Sequence, residues 1–108
     1  MPKNDLQGTL DLLVLKTLSL TRSLHGYGIV RHIQQASDDL LHVEEGSLYP
    51  ALHRMEQRGW VASEWGLTET NRKAKYYRLT ASGRKQLTVA EQDFQELVKG
   101  VFALLRYA

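Results

Sequence analysis

Glu44-Glu45-Gly46-Ser47-Leu48-Tyr49-Pro50-Ala51-Leu52-His53-Arg54-Met55-Glu56-Gln57-Arg58-Gly59 has two faces and a stop. Ser47 is a good helix N-cap, and it puts Pro50 in the first turn, where a missing N–H costs little. Leu48, Leu52 and Met55 recur at helical spacing and form a core face. Pro50, His53, Arg54 and Gln57 fall on the other side, with Ser47 and Tyr49 at the flanks, and Gly59 supplies the C-terminal cap. A helix that enters a major groove shows small and polar residues on its N-terminal half, opposite its core face. Ser47, Tyr49, Pro50, His53 and Arg54 meet that requirement. Ser47 and the helix N-terminus can hold a phosphate, Arg54 can reach a guanine edge or a phosphate, and Pro50 can touch a thymine methyl. An ordinary amphipathic helix with a wet face shows the same pattern, so the neighbouring segments have to decide.

Downstream, two strand-like runs, Val61–Trp65 and Lys75–Leu79, are joined by a long polar and basic loop and read as a β-hairpin. Tyr77 and Leu79 alternate with Tyr76 and Arg78, which predicts one packed and one wet face. Asn71, Arg72, Lys73 and Lys75 then stand where a wing would meet a neighbouring phosphate backbone or minor groove. Thr80-Ala81-Ser82-Gly83 starts a last helix in which Leu87, Ala90, Phe94, Leu97, Val101 and Leu104 repeat at alternating spacings of three and four. Such a repeat describes a seam for another helix, with Val98, Phe102 and Leu105 adding a second apolar flank. Gly100 interrupts the pattern and costs about 1 kcal/mol against alanine.

Upstream, Gly26-Tyr27-Gly28 opens a helix whose inward stripe is Ile29, Val30, Ile33 and Ala36, and Ser37-Asp38-Asp39 ends it. Leu40–Val43 is a short extended segment. Before these, Leu10, Leu13, Val14, Thr17 and Leu18 follow helical spacing, with Asp5 or Thr9 as the N-cap. Leu12 and Leu15 widen that apolar stripe, and a helix apolar on more than one side is usually buried on more than one side. In so short a chain this points to a partner subunit. The order is helix, helix, helix, hairpin, long helix: a mainly α fold with a small β-hairpin. It is the layout of a winged helix-turn-helix, residues 1–80, followed by a dimerisation helix, residues 81–108.

Length and composition limit the alternatives. A chain of 108 residues with 43% hydrophobic and 24% charged residues supports one small globular domain with a helical appendage. No apolar run approaches the roughly 18 residues of a membrane span. Met1-Pro2-Lys3-Asn4-Asp5 has neither the apolar stretch nor the cleavage site of a signal peptide. The absence of cysteine removes disulfides and thiolate chemistry, and fits a cytoplasmic protein. The net charge of +2 is unevenly spread: residues 1–60 carry six Lys/Arg against seven Asp/Glu, residues 61–108 eight against five. The excess lies mainly in Arg72, Lys73, Lys75 and Arg78, a cluster that reads either as a solvated loop or as a phosphate-contacting patch.

Other residues are open to a chemical reading. Tyr27, at the start of the second helix, either faces a phosphate or packs half-buried. His25, His32, His42 and His53 are dispersed and have no companion thiolates, so no metal site is expected. Neither a phosphate-cradling glycine loop nor a nucleophile elbow is present, which argues against an enzyme and against a bound cofactor. Glu44-Glu45 and Asp38-Asp39 are adjacent pairs whose side chains point apart, so turn chemistry explains them. Trp60, Trp65 and Phe94 are expected in the core; alternatively Phe94 and its neighbours line a cavity between subunits that accepts a planar molecule.

Four segments resemble the PadR family of bacterial transcriptional regulators. They are Leu6-Gln7-Gly8-Thr9-Leu10-Asp11-Leu12-Leu13-Val14-Leu15, His25-Gly26-Tyr27-Gly28-Ile29, Glu44 to Arg54, and Lys75-Tyr76-Tyr77-Arg78-Leu79-Thr80. The resemblance covers about residues 6 to 90 in the same order and spacing, and the chain looks like the compact subgroup with one terminal helix. It implies a homodimeric winged helix-turn-helix repressor on a double-stranded DNA operator, often released by a small apolar or aromatic effector. By that resemblance Tyr27, Ser47, Tyr49 and Pro50 take DNA-facing positions, joined by Arg54 and the wing residues Arg72 and Lys73. Leu10, Val14 and the Leu87–Leu104 seam would build the dimer, each first helix against the partner's last. Members that take planar ligands in the dimer cavity tend to carry a tryptophan on the last helix. This sequence has Phe94 there, with Val98 one turn on. The alternative from another class is a winged-helix module that binds other proteins without specific DNA binding.

Overall fold

In the computed structural model, which describes residues 6–107, the chain runs α1 (Leu6–Ser19), β1 (Leu24–His25), α2 (Gly26–Ala36), α3 (Glu45–Gln57), β2 (Val61–Leu67), β3 (Lys73–Leu79) and α4 (Ala81–Leu105). The expected helix order and hairpin are present. Asp5, one of the two N-caps considered for the first helix, lies outside the described residues. Thr9, the other, is inside α1.

The hairpin strands pair antiparallel from Val61↔Leu79 to Leu67↔Lys73. β1 adds to the far side of β3 through Leu24↔Tyr77 and His25↔Tyr76, so the sheet has three strands in the order β1-β3-β2 and not the two expected. A strand of only two residues leaves no alternation to read. The hairpin strands also extend further than expected, which adds Lys73 and Ala74 to β3 and shortens the turn to Thr68–Arg72.

The core lies where the three N-terminal helices meet one face of the sheet. Val14, Leu15 and Leu18 of α1, Ile29 and Ile33 of α2, and Leu48, Ala51, Leu52 and Met55 of α3 pack against Val61, Tyr77 and Leu79. Ala36, expected on the inward stripe of α2, is exposed at its C-terminal end. α3 closes in a Schellman turn: the Gly59 N–H bonds the Glu56 carbonyl at 3.0 Å and the Trp60 N–H bonds the Met55 carbonyl at 3.0 Å. Gly59 takes φ +79°, the left-handed conformation this turn needs.

That turn delivers the chain into β2, and Thr80 ties the exit of β3 back to it. The Thr80 hydroxyl caps α4 by accepting from the Gly83 N–H at 3.0 Å while donating to the Gly59 carbonyl at 2.6 Å. Gly83 lies so close to the Trp60 carbonyl that a Cβ there would overlap it. Gly83 and Leu87 are buried, so the first turns of α4 belong to the same core as the winged helix, and α1 packs along α4 of its own chain. Among the described residues, no helix is long and apolar enough to cross a membrane.

Candidate nucleic-acid interface

The N-termini of α2 and α3 converge on one surface. His25 precedes α2 in extended backbone, and its Nδ1 accepts the Gly28 N–H at 3.0 Å, so this histidine is the N-cap. The His25 ring meets Tyr76 edge-on at 5.2 Å, which ties the start of α2 to the sheet. Tyr27 is exposed beside it, with the Arg31 guanidinium 5.8 Å from its ring centre. The Tyr49 ring reaches across from α3 and sets its hydroxyl directly over Gly26. Burial first, and the Glu45 carboxylate second, push the Tyr49 phenol above its ordinary pKa. At neutral pH that hydroxyl is therefore a donor, suited to a phosphate oxygen.

On α3, Ser47, Tyr49, Pro50 and His53 are exposed while the opposite face is sealed in the core. Two local expectations need correction. The helix begins at Glu45 with Glu44 in the cap position, so Ser47 is its third residue and not its N-cap. An acidic side chain in the first turn favours that earlier start through the helix dipole. Pro50 consequently sits inside the helix, beyond the first turn, and leaves the Gly46 carbonyl without its intrahelical donor. A Cβ built on Gly46 would meet nothing, so this part of the helix is open to water.

Arg54 has a different setting from that expected. Its Nη2 is 2.6 Å from Asp11 Oδ1, a charge-assisted bond from α3 to α1. Desolvation raises the Asp11 pKa despite the attraction and hydrogen bond from Arg54 and the weaker pull of Arg58. Arg54 thus fixes the recognition-type helix on the scaffold.

At the wing, the Thr68 N–H bonds the Arg72 carbonyl at 2.9 Å and the Asn71 N–H bonds the Thr68 carbonyl at 2.9 Å. Asn71 takes φ 60°, a conformation asparagine tolerates better than most residues, so it shapes the turn. Asn71, Arg72 and Lys73 are exposed. Lys75 is half-buried on the inner face, with Nζ 3.9 Å from Glu56 Oε1 and 5.9 Å from the Trp65 ring centre. Glu56 also accepts from the Ser63 hydroxyl at 2.6 Å, so β2, β3 and α3 are joined here. Trp65, expected in the core, is 65% exposed, because the strand carries it past the end of the packed helices. Trp60 does pack against the core.

A polar helix face beside a basic hairpin turn is the arrangement of a winged helix, and the family model described as "Transcriptional regulator PadR-like family" matches residues 14–89. The chain belongs to this PadR-like family. A transcriptional regulator from Clostridium thermocellum superposes with TM-score 0.78 at 30% identity, covering 94% of this chain and 97% of that one. A PadR family transcriptional regulator from Eggerthella lenta superposes with TM-score 0.76 at 35% identity, covering 95% and 88%. The negative transcriptional regulator PadR of Bacillus subtilis is 26% identical over 87 residues, 78% of this chain but 48% of that relative. This chain spans about half the length of that regulator. As a PadR-like protein it is a DNA-binding transcriptional regulator, in agreement with the sequence reading and not with the protein-binding alternative.

The PadR-like α4 presents Phe94, Leu97, Val101 and Leu104 to solvent, with Val98 half-buried and Phe102 and Leu105 exposed on the flank. A hollow of about 690 Å³ along this helix is lined by Gln92, Phe94, Gln95, Glu96, Val98 and Lys99. Two residues expected at the dimer seam do not belong there. Val14 is wholly enclosed by its own chain and Leu87 is buried in the same core, so neither has surface to offer a partner. Leu10 is partly buried against that core, and Ala90 is partly exposed. The sequence reading missed His25 as a cap, Gly26 as the seat of Tyr49, and Asp11 as the partner of Arg54. The last two depend on contacts between segments distant in sequence. For His25 alone a local signal existed: a polar acceptor three residues before Gly28.

Proposed function

We propose that this PadR-like regulator is a cytoplasmic homodimeric repressor that binds a two-fold-related operator in double-stranded DNA. The observation that carries the proposal is the surface formed by Tyr27, Ser47, Tyr49, Pro50 and His53 at the converging N-termini of α2 and α3, beside the exposed Asn71, Arg72 and Lys73. In this reading α3 enters the major groove, the Tyr27 and Tyr49 hydroxyls contact the phosphates at its rim, and Arg72 and Lys73 reach the next stretch of backbone. Lys75 and Arg54 support this surface through Glu56 and Asp11 and do not themselves lead the contact. The dimer forms along Ala90, Phe94, Leu97, Val101 and Leu104, with Leu10 at its edge, and an apolar or aromatic effector would enter beside Phe94 and Val98. The printed name of the Bacillus subtilis relative, a negative regulator, supports repression over activation.

Titration of the purified protein against the duplex upstream of its own coding frame, at several salt concentrations, tests this. Neutralising roughly six to ten phosphates per dimer gives a steep fall in affinity with salt. Arg72→Ala and Lys73→Ala should each make the slope of log affinity against log salt shallower by about one. Affinity that does not change with salt, or no binding at low salt, would sink the proposal.

A further inference from the structure

We propose that Trp65 and Leu67 form an apolar DNA-contacting edge of the wing, set against deoxyribose carbons between phosphates held by Arg72 and Lys73. The inference rests on the DNA-binding reading of the same hairpin. The register Trp65↔Lys75 and Leu67↔Lys73 places all four side chains on one face of the sheet, the face that further along carries the buried Tyr77 and Leu79. Beyond the last packed helix that face continues into solvent, and Trp65 is 65% and Leu67 63% exposed.

One large apolar side chain at that exposure is ordinary, but two side by side on one sheet face make a contiguous apolar strip of the kind that marks an interaction surface. The composition around them names the occupant. Lys75 lies 5.9 Å from the indole centre, Lys73 stands opposite Leu67, and Arg72 follows in the turn. An apolar strip bordered by cations on the same strand pair complements a sugar–phosphate edge, where apolar deoxyribose alternates with anionic phosphate. Position agrees with charge. Lys75 reaches Glu56 on α3, so Trp65 occupies the angle between the hairpin and the helix assigned to the major groove.

Trp60 and Trp65 are the two tryptophans of the chain, so Trp60→Phe makes Trp65 the sole indole reporter. With a short mixed-sequence duplex at low salt, saturation should cut acrylamide quenching of Trp65 by at least half and shift its emission to the blue. Trp65→Ala should weaken binding about tenfold and leave the salt slope unchanged, because an apolar contact releases no counterions. Lys73→Ala should instead make the slope shallower. Leu67→Gln, at a position with no part in the core, should weaken binding in the same salt-independent way even if Trp65→Ala perturbs the hairpin. Undiminished quenching at saturating DNA, or parental affinity in both variants, overturns the inference while leaving the DNA-binding reading intact. Protection of Trp65 that grows with protein concentration in the absence of DNA also overturns it, by giving the strip to a second copy of the chain. If the parent binds no duplex, both readings fall together.

Discussion

Gly26 has no side chain because the Tyr49 hydroxyl occupies the place where one would be. The obstacle is the far end of a side chain that can rotate, so Gly26→Ala should leave the fold intact and swing the Tyr49 phenol away from the α2 N-terminus. Operator affinity should then fall about tenfold. In a Tyr49→Ala background the same glycine change should cost less than about twofold, since contacting residues are non-additive where distant ones add. Equal losses in both backgrounds would show that Gly26 acts through backbone conformation. The sequence makes Tyr49 a candidate from its place on the flank of a polar helix face. It does not reveal Gly26, because the steric demand is set by a residue on another helix. Trp65 illustrates the converse: composition argues that a tryptophan is buried, and only the reach of the strand beyond the helices shows that this one is not.

At the scale of elements, helical periodicity made α1, α2, α3 and α4 legible, and alternation in Tyr76–Leu79 made the hairpin legible. Their ends were less so, because capping depends on which of several polar residues wins. Glu44 and Glu45 displaced Ser47 as the start of α3, and β1 exists only because β3 offers it an edge. The tie between α1 and α3 through Asp11 and Arg54 has a consequence for acid stability. Burial raises the Asp11 pKa above its ordinary value of 3.8, outweighing Arg54. The folded chain then takes up a proton at higher pH than the unfolded chain. As pH falls from neutral through that raised value, this group favours folding more, and its full contribution is present below the ordinary aspartate value. Asp11→Asn keeps an oxygen acceptor for Arg54 and removes the titration. Urea unfolding from neutral to acid pH should therefore show the parent gaining stability relative to Asp11→Asn. A parent that loses ground as pH falls would mean that the ion pair outweighs desolvation.

The whole molecule measures 57 × 29 × 22 Å, drawn out because α4 continues well past the core that buries its first turns. Its 25 residues at ~1.5 Å rise make a rod of about 37 Å, and along its outer half Phe94, Leu97, Val101 and Leu104 remain exposed. The apolar spacing of that strip is legible in the sequence, whereas Val14 and Leu87 lie in the chain's own core, because the same spacing serves an internal core and a subunit contact alike. Leu97 is 40% exposed and outside the core, so Leu97→Asp removes nothing the isolated subunit needs. It should leave the subunit folded by circular dichroism. In the proposed dimer, placing a carboxylate in the apolar α4 strip should weaken dimerisation by at least ~3 kcal/mol, about a hundredfold or more. Light scattering should then report a monomer. Because two-fold symmetry sets the spacing of half-sites, that monomer can engage one half-site at a time. Its phosphate contacts are half those of the dimer, so the salt dependence of its residual DNA binding should be about half as steep. A Leu97→Asp protein that scatters as a monomer yet keeps the parental affinity and slope would place the complete DNA interface within one subunit and leave the α4 strip with another purpose.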